Sequence, residues 1–354
     1  MTESGGSREA ETVPPLDLAR FAKWYARHAP GDLGPELTAE PVTGGRSNLT
    51  FAVSDGTTAR ILRRPPLGHV QATAHDMKRE FVVLRALAHT DVPVPETMAY
   101  CDDPEVIGAP FYVMERVAGT PFRTAEQLRA EGPAATMRIC EVMVDTLARL
   151  HAVDPRKIGL AEFGRPQGFL IRQVERWGRQ MAGSLRRPIE GADELLHALE
   201  ARAGTVADVS LDDGTAAIVH GDYRLDNLLI SDGRVTAILD WEMATLGDPL
   251  TDLALLVVYS SMTEIFDVPE LGDAGRSPGY LGPEATIARY ADQSHRSVAD
   301  LSFHLALAHY KLAVICEGIH RRYTEGKTPG GAFGTVGEAV RPLVAAGPAA
   351  LGPP

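Results

Sequence analysis

Ile218-Val219-His220-Gly221-Asp222-Tyr223-Arg224-Leu225-Asp226-Asn227-Leu228-Leu229-Ile230 is the stretch on which the reading of this chain turns. Apolar, strand-like residues bracket a polar loop that holds a His, an Asp and, five residues after that Asp, an Asn. A second run, Val235-Thr236-Ala237-Ile238-Leu239, ends in Asp240. Two short strands ending side by side present Asp222, Asn227 and Asp240 at one mouth. Phosphoryl transfer needs that inventory: a carboxylate to orient the attacking hydroxyl and accept its proton, and oxygen ligands to hold Mg²⁺ across the phosphates. Asp and Asn are hard oxygen donors, and the surroundings lack the Cys and His clusters that zinc prefers. The competing reading is a hairpin that merely carries turn-forming residues, and it suits Asp226 and Asp232.

Outward from this loop, the chain changes texture once. Residues 38–42, 49–54 and 58–62 are short, β-branched or alternating runs, punctuated by Gly44-Gly45 and by Asp55-Gly56, a hairpin signal. Residues 16–28 and 76–88 carry apolar side chains at helical spacing. Pro93 and Pro95 end the second of these, and strands are expected at 97–101 and 111–117. After Ala118-Gly119-Thr120-Pro121, which reads as a hinge, the pattern is mainly helical: 134–151, 169–182, 192–203, 283–291 and 301–323. A β-rich island at 216–240 interrupts it. Residues 330–354 fade into Ala/Gly/Pro material. The expectation is an α+β chain with a tail at 1–15, a β-rich lobe at 16–117, a larger helical lobe at 118–345 and a tail at 346–354.

A chain of 354 residues suits a one- or two-lobed enzyme. A formal charge of −12 argues against a nucleic-acid partner, which would call for a basic face. Cys101, Cys140 and Cys316 are widely spaced and form no metal or disulfide framework, which points to a reducing, cytoplasmic setting. No apolar stretch approaches a membrane span, and the N-terminus lacks the apolar core of a signal peptide.

The string His220-Gly221-Asp222-x-x-x-x-Asn227, followed by Ile238-Leu239-Asp240-Trp241-Glu242 and then Gly247-Asp248-Pro249-Leu250-Thr251-Asp252-Leu253-Ala254, resembles the catalytic and metal-binding blocks of aminoglycoside phosphotransferases. These are relatives of protein kinases, whose catalytic loop shares the Asp-to-Asn spacing. The resemblance covers residues 38–325. It implies a protein-kinase-like two-lobed fold, with a small antiparallel sheet in the N-terminal lobe and ATP between the lobes. Asp222 is then the catalytic base, Asn227 and Asp240 are the Mg²⁺ ligands, and His220 and Asp252 support the loop. Arg224 stands where protein kinases place a Lys against the transferred phosphate, or is simply a solvated arginine.

In the small lobe, Gly44-Gly45-Arg46-Ser47-Asn48 looks like the loop that covers the phosphates, with an ordinary hairpin turn as the alternative. The strand Arg60-Ile61-Leu62-Arg63-Arg64 has no Lys, a departure from the protein-kinase pattern. Arg63 is therefore the expected phosphate-gripping cation, and Glu80 its partner. Residues 111–117 resemble the strand whose backbone meets adenine, through Glu115 and Val117. There is no Walker A motif. Gly275-Arg276-Ser277-Pro278-Gly279 fits a nucleophile elbow only formally, because it lies in a Gly/Pro-rich loop.

Leu62-Arg63-Arg64-Pro65-Pro66 and the blocks from His220 to Asp252 look closest to the kinase-like domains fused ahead of acyl-CoA dehydrogenases in animals, and to their free-standing bacterial relatives. The implied activity is transfer of the γ-phosphate of ATP to a hydroxyl of a small-molecule acceptor, either a hydroxylated acyl-CoA-like metabolite or an aminoglycoside-like compound. Glu175, Glu264 and Asp267 are acidic candidates for meeting a cationic acceptor, and His304 is a candidate for lining its pocket. A catalytically degenerate kinase-like protein that only binds nucleotide is the alternative; the complete Asp222, Asn227 and Asp240 set speaks against it.

Overall fold

The computed structural model describes residues 16–42, 48–67, 76–266, 268, 272–326 and 333–352. The chain divides into two units, one comprising residues 1–82 and 96–116, the other residues 83–95 and 117–354.

In the first unit, α1 (Leu18–His28) precedes β1 (Thr38–Pro41), β2 (Leu49–Ser54) and β3 (Ala59–Arg64). Helix α2 (Met77–Leu87), whose residues from Val83 on belong to the second unit, β4 (Thr97–Cys101), the short α3 (Pro104–Ile107) and β5 (Phe111–Glu115) follow. The strands form one antiparallel sheet in the order β1-β2-β3-β5-β4. The Asp55-Gly56 turn joins β2 to β3: the Asp55 carboxylate accepts the N–H groups of Thr57 and Thr58 at 2.9 and 2.7 Å, closing the turn as Asx residues do. Alternation along β2 sends Phe51 and Val53 inward, where they meet Leu62, Phe111 and Val113 and the Phe21 and Tyr25 side chains of α1.

The second unit holds α4 (Ala125–Glu131), α5 (Pro133–Ala152), α6 (Phe169–Ser184) and α7 (Ala192–Ala203). Four short strands come next: β6 (Ala217–Val219), β7 (Leu228–Ser231), β8 (Arg234–Ile238) and β9 (Thr245–Gly247), paired β6 with β9 and β7 with β8. Helices α8 (Leu250–Ile265), α9 (Pro283–Ser294), α10 (Leu301–Thr324) and α11 (Val340–Leu351) complete it. Helix α10 packs against α6, α7, α8 and α11, which is why it buries residues on almost every side.

Three differences from the sequence reading have physical causes. Residues 83–95 belong with the second unit, where the Ile238 N–H donates to the Pro93 carbonyl at 2.8 Å and Arg149 donates to the Asp91 carbonyl at 3.4 Å. Helix α4, absent from the expectation, starts with a capping box between Thr124 and Gln127. Helix α11 runs through Leu351, into the stretch expected as a tail, because Leu343, Val344, Gly347 and Leu351 are buried there. No described helix is long and apolar enough to cross a membrane.

Candidate active site

Strand β6 is buried along its whole length and delivers His220 to the start of the polar loop. Gly221 follows with a φ of 84°, and a Cβ there would lie 2.8 Å from both Cβ and the carbonyl oxygen of Met243. Only glycine fits that close approach. The loop then makes a 3-10 turn over Leu225–Asn227 and enters β7. The Leu239 N–H donates to the Asn227 carbonyl at 2.8 Å, next to the Leu228–Ile238 pair of β7 and β8. Asp240 therefore leaves β8 alongside Asn227, in a left-handed conformation with a φ of 65°.

The Asp222 carboxylate is held on both oxygens. Tyr259 of α8 donates its hydroxyl to Oδ1 at 3.0 Å, and Asn227 Nδ2 donates to Oδ2 at 3.1 Å and to the Asp222 carbonyl at 2.9 Å. Burial pushes the Asp222 carboxyl above its ordinary pKa, and the positive charges of Arg224 and Lys311 act against that push. With Nδ2 so engaged, Asn227 Oδ1 takes no hydrogen bond among the described residues and remains an oxygen donor. Asn227 and Asp240 thus offer hard oxygen ligands on adjacent backbone, a set that fits Mg²⁺, which also keeps water and phosphate ligands. Among the described residues, no group of three or more His, Cys, Asp or Glu gathers as a protein-only metal cage.

Asp252, in the first turn of α8, reaches back to the loop. Its Oδ2 accepts the His220 N–H at 2.6 Å and its Oδ1 accepts the Gly221 N–H at 2.8 Å. His151 of α5 approaches the same carboxylate at 3.3 Å, and the Tyr290 hydroxyl lies 2.7 Å from His151 Nδ1. Burial lowers the pKa of His151 and outweighs the pull of Asp252. For Asp252 burial acts upward, but the hydrogen bond and charge of His151 and the loop N–H groups prevail and lower its pKa. The His220 ring is fixed as well: Nδ1 accepts the Asp222 N–H at 3.3 Å and Nε2 faces the Leu239 carbonyl at 2.9 Å, which makes Nε2 the protonated nitrogen. Trp241 packs edge-on against that ring, with centroids 4.7 Å apart.

Arg224 is neither solvated nor free: it pairs with Asp226 and lies over the Tyr259 ring, 4.6 Å from its centroid. Arg224, Asp226, Tyr259, Leu225, Tyr280 and Phe122 line a pocket of about 40 Å³ on this side of the loop. Sequence reading missed Tyr259. The available signal was its spacing of seven residues from Asp252, which puts both on one face of α8. It also missed Lys311, for which the sequence holds no signal.

Within the first unit, Glu80 is fully buried, and Asn48, Tyr112 and Arg63 are among its partners. Asn48 Nδ2 donates to Oε1 at 3.0 Å, the Tyr112 hydroxyl donates to Oε2 at 2.9 Å, and Arg63 Nε lies 3.6 Å from Oε2. Asn48, Arg63 and Glu80 thus come together. Gly44, Gly45 and Ser47 lie outside the described residues, as do Asp267 and the side chain of Glu264. The Glu115 side chain is exposed at the end of β5 and accepts the Glu96 N–H at 3.4 Å; Val117 begins the second unit. Glu175 makes an exposed pair with Arg179 at 3.6 Å. His304 is buried between the Asp248 carboxylate, at 2.7 Å, and the Asp300 carbonyl, at 2.9 Å.

A profile of the phosphotransferase enzyme family matches residues 38–291. The chain belongs to that family. As a member, it is 33% identical over 357 residues to acyl-CoA dehydrogenase family member 11 of Gallus gallus, an alignment covering 98% of this chain and 45% of the relative. It spans under half the length of the curated acyl-CoA dehydrogenase relatives it matches, the Homo sapiens protein included. A crystal structure of a protein described as a putative aminoglycoside phosphotransferase, from Ralstonia eutropha JMP134, superposes with a TM-score of 0.79 at 32% identity, covering 94% of this chain and 97% of that one. Aminoglycoside phosphotransferase APH(4)-Ia, solved with AMP-PNP and hygromycin B, shares the fold with a TM-score of 0.58 at 14% identity, covering 92% and 97%. The fold class is therefore that of the kinase-like phosphotransferases, and membership of this family supports small-molecule phosphotransfer.

Proposed function

We propose that the chain is an ATP- and Mg²⁺-dependent O-phosphotransferase with Asp222 as its catalytic base. The observation that carries this reading is the Asp222 carboxylate, oriented by Asn227 and Tyr259 on a loop whose neighbour strand leads into Asp240. In the proposed reaction, an acceptor hydroxyl donates its proton to Asp222 as its oxygen forms a bond to the γ-phosphorus. The bond from that phosphorus to the bridging oxygen breaks, and ADP leaves with the electron pair. Asn227 and Asp240 would hold Mg²⁺, which neutralises charge on the phosphates when bound. His220 and Asp252 keep the loop in shape. For the nucleotide, the proposed contacts are the backbone of Gly44, Gly45 and Ser47, the Arg63–Glu80 pair with Asn48, and the strand end at Glu115 and Val117.

For the acceptor we propose a small hydroxylated molecule. Kinship with proteins named as acyl-CoA dehydrogenases supports an acyl-CoA-like metabolite; the hygromycin B complex of a structural relative supports an aminoglycoside-like one. The three cysteines are buried and unpaired, which suits the proposed cytoplasmic location. The test is incubation with Mg-ATP and a library spanning both classes, read by mass spectrometry for an added phosphate. One acceptor should gain it, chelation of Mg²⁺ should abolish the gain, and Asp222→Asn should slow it about 10³-fold or more. Full activity in Asp222→Asn would remove the base. ATP binding with no product from any acceptor would leave a nucleotide-binding protein.

A further inference from the structure

Lys311 lies in the middle of α10, far in sequence from the loop, and donates from Nζ to the Gly221 carbonyl at 2.5 Å. Its ammonium sits 5.4 Å from the ring centroid of Trp177 on α6. Among the described residues no carboxylate comes within ion-pairing distance of it. A desolvated ammonium is costly, and a methionine would fill the same space against the indole. The charge therefore calls for an explanation other than packing.

The Gly221 carbonyl belongs to the peptide group whose N–H is that of Asp222, and that N–H donates to His220 Nδ1. The other nitrogen of His220 donates to the Leu239 carbonyl, which belongs to the peptide group preceding Asp240. One chain of hydrogen bonds thus runs from Lys311 through the 221–222 peptide and the His220 ring to the 239–240 peptide. A cation at its head polarises each link in turn, and hydrogen bonds in series strengthen one another. The Gly221 N–H, on the preceding peptide group, is held by Asp252, so the backbone on both sides of Gly221 is fixed by charged side chains.

We infer that Lys311 is a positioning residue that sets the peptide groups ahead of both Asp222 and Asp240, and thereby the direction of both carboxylates. This rests on the proposed roles of those two residues. Misdirection on the ångström scale costs about 10²-fold in rate. Lys311→Met should therefore lower kcat about 10²-fold and raise the Mg²⁺ concentration for half-maximal rate. Lys311→Arg, which keeps the charge, should restore most of both.

A second readout needs neither turnover nor metal. In ¹⁵N-histidine NMR spectra of the nucleotide-free protein, with His220 assigned through His220→Gln, the ring should be protonated on Nε2 alone. In Lys311→Met the two tautomers should mix. Unchanged tautomer and kcat within twofold of the parent in Lys311→Met would overturn the inference. So would a loss in Lys311→Arg as deep as in Lys311→Met, because charge would then not be the agent. If Asp222→Asn kept the full rate, the base assignment would fall, and the tautomer of His220 would still decide the role of Lys311.

Discussion

At the scale of single residues, position in sequence and position in space part company. Asp222, Asn227 and Asp240 lie within one short stretch, so local chain geometry already brings them together, and their grouping was legible from spacing. Tyr259 and Lys311 reach the same loop from distant helices, where a lone Tyr or Lys normally packs or faces water. His309 of α10 is another residue whose character only packing reveals. It is buried, its Nδ1 finds no partner among the described residues, and burial pushes its pKa from 6.5 down to about 4. The unfolded chain then binds the extra proton between about pH 4 and 6.5. Stability should accordingly rise with pH through that window and decline as pH drops from 6.5 towards 4, by up to roughly 3 kcal/mol. Denaturant titrations of the parent and His309→Phe across this range check it: the parent should show the slope, and the variant should lose most of it.

At the scale of elements, the strands and helices of the first unit follow alternation and turn chemistry closely, and β2, β4 and α7 have the expected bounds. The elements that escaped the sequence reading are those whose local pattern is weak or masked. In α8 the apolar residues run on every face because the helix is buried all round, which erases the amphipathic period. In α11, Pro348 and the Ala/Gly composition read as a fading tail, yet a Cβ on Gly347 would sit 2.4 Å from Leu195 Cδ2, so the helix packs closely against α7 there. The segment expected as a hinge lies at the start of the second unit, where Thr120 pairs with Ile230 of β7 through hydrogen bonds of 2.8 and 3.1 Å. Gly119 has a φ of 154°, and a Cβ there would lie 2.8 Å from Leu229 Cβ and Thr236 Oγ1. Gly119→Ala should therefore displace the β7–β8 hairpin and destabilise the second unit by about 1–3 kcal/mol. Thermal denaturation would show the drop; an unchanged midpoint would mean that the hairpin yields freely.

At the scale of the whole molecule, the C-terminal segment is tied into the second unit through an ion pair whose carboxylate is buried. Arg187, ahead of α7, donates to the Glu317 carboxylate of α10 at 2.8 Å and to the Gly337 carbonyl, ahead of α11, at 2.7 Å. Glu317 is 1% exposed, so Arg187→Met leaves a buried carboxylate without its cation. A loss of about 2–3 kcal/mol should follow, and the melting temperature should fall on the order of 5–10 °C. Adding Glu317→Leu should recover much of it, because the desolvation penalty disappears with the charge. Sequence alone determined the fold class, the loop that carries Asp222 and Asn227, and the strand that leads into Asp240, because each depends on residues close together in the chain. Tertiary structure alone decided that the Asp222 carboxylate is held by Tyr259, that Arg224 lies over the Tyr259 ring, and that Lys311 grips the Gly221 peptide. Those contacts join segments tens of residues apart, and no local periodicity encodes which distant helix face will close over a loop.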